Sequence, residues 1–340
     1  MSIDTTPAPA HVPAPESPER RRRRWPYALL ALVMLAAAGL WWGYHSLSSN
    51  IQTVDTTASL GDNRPAKLNG GQNILLIGSD ARDGDNAQYS GDSPGLADTT
   101  IVAHLSEDGT WATAVSIPRD SMVDMPDCVT PSGAVHAGGL RQFNWSYSIG
   151  GPGCVQKTVE ATTGLHIDHF VDLDMTGFKA VVEALGGVEM CFDEPIYVPN
   201  RGLDLSAGCH TLDGETALQY VRVRKGIGNG SDIQRIERQQ AFLAAVAKQV
   251  TSGGLLLHPV ALYDFLDKAT SAITTDADMS SMSDMVSLAQ RMRETGQNSL
   301  DFVMVPITGY APDPNRVAWN EPAAQELWTA LANDENPAQS

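Results

Sequence analysis

Arginines in the segment 213–239 have the type and spacing needed to bind an anionic group. Apolar and basic residues alternate in its first half, which predicts a strand with Arg222 and Arg224 on one face. After a glycine-rich loop, a predicted helix carries Arg235 and Arg238 three residues apart, and therefore on one face. Guanidinium groups suit phosphate oxygens, because their planar donors are bidentate and permanently charged. The spacing therefore indicates a candidate phosphate site.

A second interpretation of this segment is a surface covered by salt bridges. Glu215 and Glu237 belong to the same segment and could neutralise its arginines. The spacing alone does not separate anion binding from ion pairing, so both interpretations stay open at this point.

Acidic residues and one further arginine lie at the ends of predicted strands. Asp80 follows a short buried strand, Asp98 opens the next one, and Arg119 and Asp120 end the third. Ligands of open α/β sheets collect beyond strand ends. Carboxylates beside phosphate-binding arginines could hold Mg²⁺ on a pyrophosphate. Taken singly, each aspartate also fits the simpler role of accepting backbone N–H groups at a turn.

Other sources of catalysis are absent from the sequence. It contains no G-x-S-x-G elbow, H-E-x-x-H pair, Walker loop or dinucleotide-binding fingerprint. The histidines show no metal-ligand spacing, and the methionines between residues 279 and 292 are spaced as the core face of a helix. The net charge of −17 argues against general nucleic-acid binding. The combination of strand-end aspartates and arginines therefore favours phosphate chemistry.

An apolar segment near the N-terminus predicts a membrane anchor. Residues 25–44 carry no charge, have aromatic residues at both ends, and are long enough to span a bilayer. The arginines at 20–24 predict that residues 1–24 form a disordered cytoplasmic tail, and that the domain after the anchor is extracytoplasmic. Cleavage of a signal peptide at Ala36–Ala38 is the alternative. The apolar run continues beyond this position, which favours an uncleaved, single-pass anchor.

Four cysteines lie in the predicted extracytoplasmic part, where disulfides form. Pairing of sequence neighbours, Cys128 with Cys154 and Cys191 with Cys209, is the simplest of three connectivities, and the sequence does not distinguish among them. Their spacing is not that of a zinc site.

Predicted strands alternate with helices and hairpins after a polar tether at residues 45–70. This order predicts an α/β fold in which helices cover a mixed sheet. The folded domain is predicted at residues 71–333, followed by a tail at 334–340, and residues 255–295 are predicted to be helical throughout. The alanine- and glycine-rich, acidic composition suits an exported actinobacterial protein.

Several motifs resemble those of the LytR-CpsA-Psr family and follow one another in the same order. They are NILLIGSDAR, ADTTIVAHL, VSIPRDSMV, FNWSYSIGG, HFVDLDMTGFKAVVEALGGVEM, and LDGETALQYVRVRK with DIQRIERQQ. The resemblance covers roughly residues 72–251 and extends more weakly to about residue 310. It implies an α/β/α sandwich whose mixed central sheet encloses a hydrophobic pocket for a polyprenyl chain.

The activity that this resemblance implies is phosphotransfer. Family members move a glycopolymer from undecaprenyl pyrophosphate to muramic acid of peptidoglycan, as a phosphodiester, and release undecaprenyl phosphate. The implied partners are the lipid-linked glycopolymer, peptidoglycan and the membrane, and the implied cofactor is Mg²⁺, with Mn²⁺ as the alternative ion. Two rival functions stay open, namely hydrolysis of the lipid pyrophosphate alone and binding of lipid-linked glycan without catalysis. The sequence does not identify the polymer.

The resemblance also implies roles for the strand-end residues. Asp80 and Asp98 resemble the metal-associated aspartates of the family, and Arg119 resembles its catalytic-site arginine, with Asp120 beside it. Asp98 or Asp120 is the expected base for the acceptor hydroxyl, and the sequence does not rank them. Further residues match the pyrophosphate-binding motif. These are Arg222, Arg224 and Arg235, with supporting roles for Arg238 and Gln239.

Two positions depart from the family pattern. Leu96 stands where family members commonly have an arginine, and Gln142 stands where they often have a lysine. Arg141 is the candidate replacement for this lysine, if a small change of register lets it point inward. Otherwise the site has fewer cationic contacts to its substrate.

Overall fold

The computed structural model describes residues 25–80, 95–223, 227, 232–252, 258–279, 281–295 and 300–339. Its α-helices are α1 (Trp25–Asn50), α2 (Thr57–Leu60), α3 (Trp145–Thr163), α4 (Met175–Ala184), α5 (Gly214–Arg222), α6 (Asp232–Ser252), α7 (Pro259–Ala272), α8 (Met282–Thr295) and α9 (Glu321–Ala332). Its strands are β1 (Gln52–Thr53), β2 (Gln72–Ser79), β3 (Ala97–Leu105), β4 (Ala112–Ser116), β5 (Met122–Met125), β6 (Cys128–Val129), β7 (Val135–His136), β8 (Gly139–Gln142), β9 (His169–Leu173), β10 (Val188–Phe192), β11 (Ile196–Val198), β12 (Leu203–Leu205), β13 (Gly208–Leu212), β14 (Ile273–Thr275), β15 (Leu300–Met304), β16 (Ile307–Gly309) and β17 (Val317–Trp319).

A mixed seven-stranded sheet lies at the centre of the folded unit, in the order β1-β14-β9-β2-β3-β4-β15. Strands β2, β3 and β4 are antiparallel neighbours, whereas β9 runs parallel to β2 and β15 runs parallel to β4. At one end of these strands, the last residues of β2 and β4 therefore lie on either side of the first residues of β3. The strands predicted for this part of the chain are confirmed.

Helices cover both faces of this sheet. Side chains of β2 alternate between the faces, so Leu75 and Ile77 enter a core that contains residues of α3 and α9. Ile74 and Leu76 face the other side, where Leu288 of α8 packs against them. The predicted α/β/α arrangement is therefore confirmed.

The prediction that residues 255–295 are helical throughout is wrong. Helix α7 ends at Ala272, and β14 pairs with β9 as part of the central sheet. The β-branched residues Ile273, Thr274 and Thr275 favour an extended backbone over a helix. Met279 is buried in a short 3₁₀ turn that precedes α8, so the methionines do not belong to one continuous helix.

Part of the segment 45–70, predicted to be a tether, belongs to the folded unit. Strand β1 pairs with β14 at the edge of the sheet, and α2 packs against α3. Arg64 then forms an ion pair with the buried Glu160, with 2.6 Å between Nη2 and Oε1. The chain is therefore fastened to the sheet and to α3 well before residue 71.

The N-terminal helix is long and apolar enough to cross a membrane. This property belongs to Tyr27–Asn50, which has a mean hydropathy of 1.6. A signal sequence would meet the same criterion. Residues 1–43 and 44–340 form two separate compact units, and the arginines predicted to face the cytoplasm lie outside the described residues. The helix is consistent with the predicted anchor, and its orientation stays a prediction.

Both disulfides between sequence neighbours are present. Cys128 bonds to Cys154 of α3, and Cys191 bonds to Cys209, directly opposite it on β10 and β13. The second disulfide lies at the base of a hairpin that consists of β11 and β12.

The predicted C-terminal tail begins with a residue that contacts the sheet. Asp334 Oδ1 lies 2.8 Å from Nε2 of the fully buried His104, whose Nδ1 lies 2.7 Å from Asn73 Oδ1. Burial lowers the pKa of His104, although Asp334 opposes this effect. His104, which the sequence left without a role, therefore connects β2, β3 and the tail.

Helices α4 and α7 approach each other so closely that their contact requires a glycine. A Cβ atom at Gly177 would lie 2.5 Å from the backbone oxygen of Ala272. We expect Gly177→Ala to push the helices apart and to lower the free energy of unfolding by about 1–3 kcal/mol, the usual cost of overpacking. Urea denaturation of the full-length protein in detergent measures this change.

Gly309→Ala is the matched control, because no atom lies within 4 Å of its added Cβ. This control should change the free energy of unfolding by less than about 1 kcal/mol. Equal stability of Gly177→Ala and the wild-type protein would show that the two helices separate without cost.

Candidate functional site

A cavity of about 710 Å³ lies between the central sheet and helices α4, α5 and α6. Most of its wall is apolar. The apolar residues are Leu76, Ile77, Ile101, Val171, Leu173, Met175, Phe178, Leu218, Val221, Val223, Phe242 and Leu243. Its volume is typical of sites for small molecules and cofactors. The hydrophobic pocket implied by the sequence resemblance is therefore present.

Charged residues line the same cavity at the edge where β2 ends and β3 begins. Asp80 follows β2, Asp98 is the second residue of β3, and Arg119 comes shortly after β4. Arg222 and Arg235 reach the cavity from α5 and α6. The structure thus brings Asp80, Asp98 and Arg119 together with two arginines of the predicted cluster.

A β-bulge directs Asp98 into this cavity. The register between β2 and β3 shifts between Gly78 and Ser79, which leaves Asp98 as an extra residue without a partner in the ladder. Asp98 and its neighbour Thr99 both line the cavity, although neighbours in a regular strand point to opposite faces. The backbone oxygen of Asp98 accepts a hydrogen bond from Arg235 Nη2 at 3.4 Å.

Arg119 is held by three carboxylates. Its Nη1 donates to Asp98 Oδ1, and its Nε lies 3.5 Å from Asp120 Oδ2 and 3.7 Å from Asp232 Oδ1. Burial alone would lower the pKa of Arg119, but these carboxylates outweigh burial and raise it. The guanidinium group is therefore charged and fixed in position at the cavity wall.

Arg235 is more deeply buried than Arg119. Only 3% of its surface is exposed, and its Nη2 lies 2.9 Å from Asp232 Oδ1, one helical turn away. Burial lowers the pKa of Arg235, and Asp232 counteracts this effect. Asp232 is the first residue of α6 and also the ion-pair partner of Arg235.

Arg222 is the last residue of a helix, so the strand predicted here is wrong. Asp213 caps α5, because its Oδ1 accepts the backbone N–H of Thr216 at 2.8 Å. Ala217 and Val221, four residues apart, are both buried, as expected for one face of a helix. The alternation of apolar and basic residues coincides with the end of this helix. Arg224, predicted to share a face with Arg222, lies outside the described residues.

Helix α6 donates hydrogen bonds to the end of α5. The last carbonyl groups of a helix have no partner within the helix. Gln239 Nε2 donates to the oxygen of Val221 at 3.3 Å, and Arg238 Nη2 donates to that of Val223. Gln239 lines the cavity, whereas the buried Arg238 does not. Burial lowers the pKa of Arg238. Arg238 therefore stabilises the end of α5, where Arg222 lies, from outside the cavity.

Asp120 and Arg141 are not among the described residues that line the cavity. Asp120 Oδ1 accepts from Gln142 Nε2 and lies 3.3 Å from Arg316 Nη1. Arg141 alternates with Gln142 along β8 and so points to the other face, where it donates to Ala137 O at 3.5 Å. Arg141 therefore does not line the cavity in this structure, and its replacement of the family lysine stays a prediction. Arg316 brings a cation next to Gln142 instead.

Several polar residues of the site were not predicted. Asn200 and Arg201 line the cavity from a 3₁₀ turn between β11 and β12, and Arg316 reaches Asp120 from the segment before β17. The sequence Pro199-Asn-Arg-Gly202 is a turn signal. However, no local pattern indicates which side of the fold a turn will face.

The carboxylates of Asp80 and Asp98 fit a metal that is shared with a substrate. Among the residues that the structure describes, no group of three or more His, Cys, Asp or Glu side chains could hold a metal ion. Mg²⁺ commonly takes only one or two protein carboxylates and completes its shell with water and phosphate oxygens. The donor set therefore suits a metal that binds together with a phosphorylated ligand.

Asp172 is a buried carboxyl behind the cavity wall. Its neighbours Val171 and Leu173 line the cavity, so the alternation of β9 directs Asp172 to the opposite face of the sheet. There its Oδ2 accepts the hydroxyl of Tyr147 at 2.6 Å. Burial raises the pKa of Asp172 to about 6, although this hydrogen bond opposes the rise.

Comparisons with known proteins agree with this architecture. A model described as the LytR_cpsA_psr family matches residues 43–333. The probable cell wall biosynthesis protein LcpB of Corynebacterium glutamicum is 34% identical over 312 residues, which are 89% of this chain and 69% of LcpB. The polyisoprenyl-teichoic acid–peptidoglycan teichoic acid transferase TagT of Bacillus subtilis is 28% identical over 271 residues, which are 77% of this chain and 76% of TagT. The structure of TagT bound to LI-WTA superimposes with a TM-score of 0.61 and 26% identity, over 82% of this chain and 96% of that one.

Asp172 should make the stability of the fold dependent on pH. Because its pKa is about 6 in the folded state against 3.8 ordinarily, the unfolded chain loses this proton first as the pH rises. The carboxyl therefore favours folding below about pH 4, and this contribution is lost as the pH rises through about 6. We expect Asp172→Asn to be more stable than the wild-type protein at pH 8 by about 2–3 kcal/mol, and similar to it at pH 4.

Urea denaturation of both proteins at pH 4 and pH 8 measures this difference. The exposed Asp124 supplies the control, because Asp124→Asn should shift the stability equally little at both pH values. A stability difference for Asp172→Asn that is the same at pH 4 and pH 8 would contradict the prediction.

Proposed function

Because the chain belongs to the LytR-CpsA-Psr family, we propose that it is a membrane-anchored phosphotransferase that attaches a glycopolymer to peptidoglycan. Its donor is the glycopolymer on undecaprenyl pyrophosphate, and its acceptor is a hydroxyl group of muramic acid. The observation that carries this proposal is a single cavity with an apolar wall and a charged edge. A donor that combines an isoprenoid chain with a diphosphate matches both parts.

The apolar wall would bind the isoprenoid chain. Burial of apolar surface is favourable in proportion to its area, and residues such as Phe178 and Phe242 offer large aromatic surfaces. Arg222 and Arg235 would bind the diphosphate, because both line the cavity next to the aspartates. Arg119 is held rigidly by carboxylates and is placed to stabilise the charge of the reacting phosphoryl group.

The transfer needs one bond to form and one to break. The acceptor oxygen attacks the phosphorus that carries the glycopolymer, and a new phosphorus–oxygen bond forms. The bond from this phosphorus to the bridging oxygen breaks, and the bridging oxygen leaves as part of undecaprenyl phosphate. Phosphoryl transfer depends mainly on positioning and on charge stabilisation, which fixed arginines provide.

We assign Asp98 as the base that takes the proton of the acceptor hydroxyl. Asp98 lines the cavity, whereas Asp120 does not. Both carboxylates already accept a hydrogen bond, Asp98 from Arg119 and Asp120 from Gln142, so the position at the cavity decides the assignment. Asp120 is therefore a positioning residue for Arg119. Asp80 and Asp98 would also hold Mg²⁺ or Mn²⁺, which when bound neutralises charge on the diphosphate oxygens.

The N-terminal helix supports a membrane location. Tyr27–Asn50 can span a bilayer by length and hydropathy. We propose that the arginines at 20–24 keep the N-terminus in the cytoplasm and that the cavity faces the opposite side. An anchored enzyme and a lipid-linked donor then share one leaflet of the membrane.

Arg222→Ala should reduce kcat/KM for transfer by about 10²–10³-fold, the range for removal of one charge-stabilising donor. The full-length protein in lipid vesicles would receive lipid-linked glycopolymer and peptidoglycan fragments. The covalent glycan product and the released prenyl phosphate are then measured together. Arg291→Ala is the control, since Arg291 contacts the backbone of Gly70 and is not among the cavity residues.

The outcomes of this assay separate the candidate functions. Release of prenyl phosphate without a covalent product would identify a pyrophosphatase. Binding without release in a single turnover would identify a binding module. Normal transfer by Arg222→Ala would contradict the assignment of the diphosphate site.

The two candidate bases can be compared in the same assay. We expect Asp98→Asn to lower kcat by about 10²–10⁴-fold, the usual contribution of general acid–base catalysis. Asp120→Asn should have a smaller effect, because an amide can still accept from Gln142 and Arg316. The reverse order of the two effects would contradict the assignment of Asp98.

A further inference from the structure

We propose that Arg201 binds an anionic group on the glycan part of the lipid-linked donor, beside the diphosphate. The neighbouring Asn200 would hydrogen-bond sugar hydroxyl groups. This inference rests on the proposed function and deepens it, because it assigns a class of donor, glycopolymers with a carboxylate or phosphate close to the lipid, to the same cavity.

Arg201 occupies the exposed rim of the cavity. Asn200 and Arg201 are both exposed, yet both line the cavity together with the arginines of the diphosphate edge. An isoprenoid chain is expected to lie against the buried apolar wall. The glycan must leave the cavity toward solvent, and a residue of the rim contacts this part of the donor.

The turn that carries Arg201 and the helix end that carries Arg222 are both anchored in one apolar cluster. The turn that carries Arg201 lies between Val198 and Leu203, which are both buried in one apolar cluster. Val221 and Val223, on either side of Arg222, are buried in the same cluster. Both arginines therefore line the cavity from elements of one packed core.

The backbone of this turn is also well defined. Gly202 has φ = 69°, a conformation that L-residues rarely adopt, and its N–H donates to the oxygen of Pro199 at 3.1 Å. The disulfide between Cys191 and Cys209 joins β10 and β13, the two strands that flank this hairpin in the chain. The fold thus sets the backbone position of Arg201.

Arg201 and Arg222 differ from the other cavity arginines in their partners. Arg119 and Arg235 form ion pairs with Asp98 and Asp232. Within the described part of the chain, neither Arg201 nor Arg222 forms an ion pair with a carboxylate. Cations without partners are notable in a chain of net charge −17. Two such groups on adjoining elements favour a ligand with more than one anionic group.

The test compares three probes that differ in one group. They are an undecaprenyl diphosphate, the same lipid carrying glucose, and the same lipid carrying glucuronic acid, in which a carboxylate replaces the CH₂OH group. Dissociation constants are measured with the full-length protein in neutral lipid vesicles, for the wild-type protein and for Arg201→Ala, Arg201→Lys, Arg222→Ala and Arg291→Ala.

Arg201→Ala should weaken binding of the glucuronic acid probe by about 10-fold, the effect of one lost charge-assisted hydrogen bond, and change the other two probes less than twofold. Arg201→Lys should restore part of the affinity, since it keeps the charge without the planar fork. Arg291→Ala should leave all three constants unchanged.

Equal weakening of all three probes by Arg201→Ala would overturn the proposal, because Arg201 would then belong to the diphosphate site. Unchanged binding of the glucuronic acid probe would overturn it as well. Arg222→Ala reports separately on the proposed function, because it should weaken all three probes. Unfolding curves of each variant identify a loss of fold, and partial rescue by Arg201→Lys excludes it as the cause.

Discussion

The hydrogen bonds that α6 donates to irregular backbone hold the site together. The bulge in β3 and the end of α5 both leave carbonyl groups without regular partners. Arg235 reaches the oxygen of Asp98, while Gln239 and Arg238 reach those of Val221 and Val223. A buried carbonyl group without a partner costs about 1–3 kcal/mol, so these contacts make the arrangement stable. One helix thus fixes an aspartate and an arginine that are far apart in the sequence.

The charges of the site are arranged before a ligand binds. Arg119 and Arg235 are largely buried, and a buried guanidinium group is stable only when it is paired and hydrogen-bonded. The aspartates that pair with them also prevent reorientation. Donors that are fixed in this way need no reorganisation during a reaction, and this is the main source of electrostatic catalysis. The site can therefore hold several arginines although the chain as a whole has a net charge of −17.

Local sequence patterns predicted much of the fold and of the strand-end site. Continuous apolar runs located β2 and β3, and their ends placed Asp80 and Asp98. The resemblance to the family added the apolar cavity, which is present, and a role for Arg222 that stays a proposal. The same patterns failed for α5, because five alternating residues near a helix end imitate a strand.

Features that depend on distant parts of the chain were not predictable in this way. The bulge at Asp98 is a relation between two strands, and no single strand contains its signal. Arg316 contacts Asp120, which lies 196 residues earlier in the chain. Arg201 lies in a turn whose direction depends on the packing of α5. Arg141 was a candidate for the inner face only if the register of β8 allowed it, and this register depends on the pairing with β5.

The contact between Asp334 and His104 attaches the chain beyond α9 to the central sheet. Asp334 has φ = 60°, an unusual backbone conformation for a residue other than glycine, and its carboxylate meets the buried imidazole. A chain that stopped at Asn333 would keep all of α9 but would leave a ring nitrogen enclosed without its acceptor. The folded unit therefore extends past α9 at least to this side chain, so a truncation placed at the end of the helix would expose a buried polar group rather than a free end.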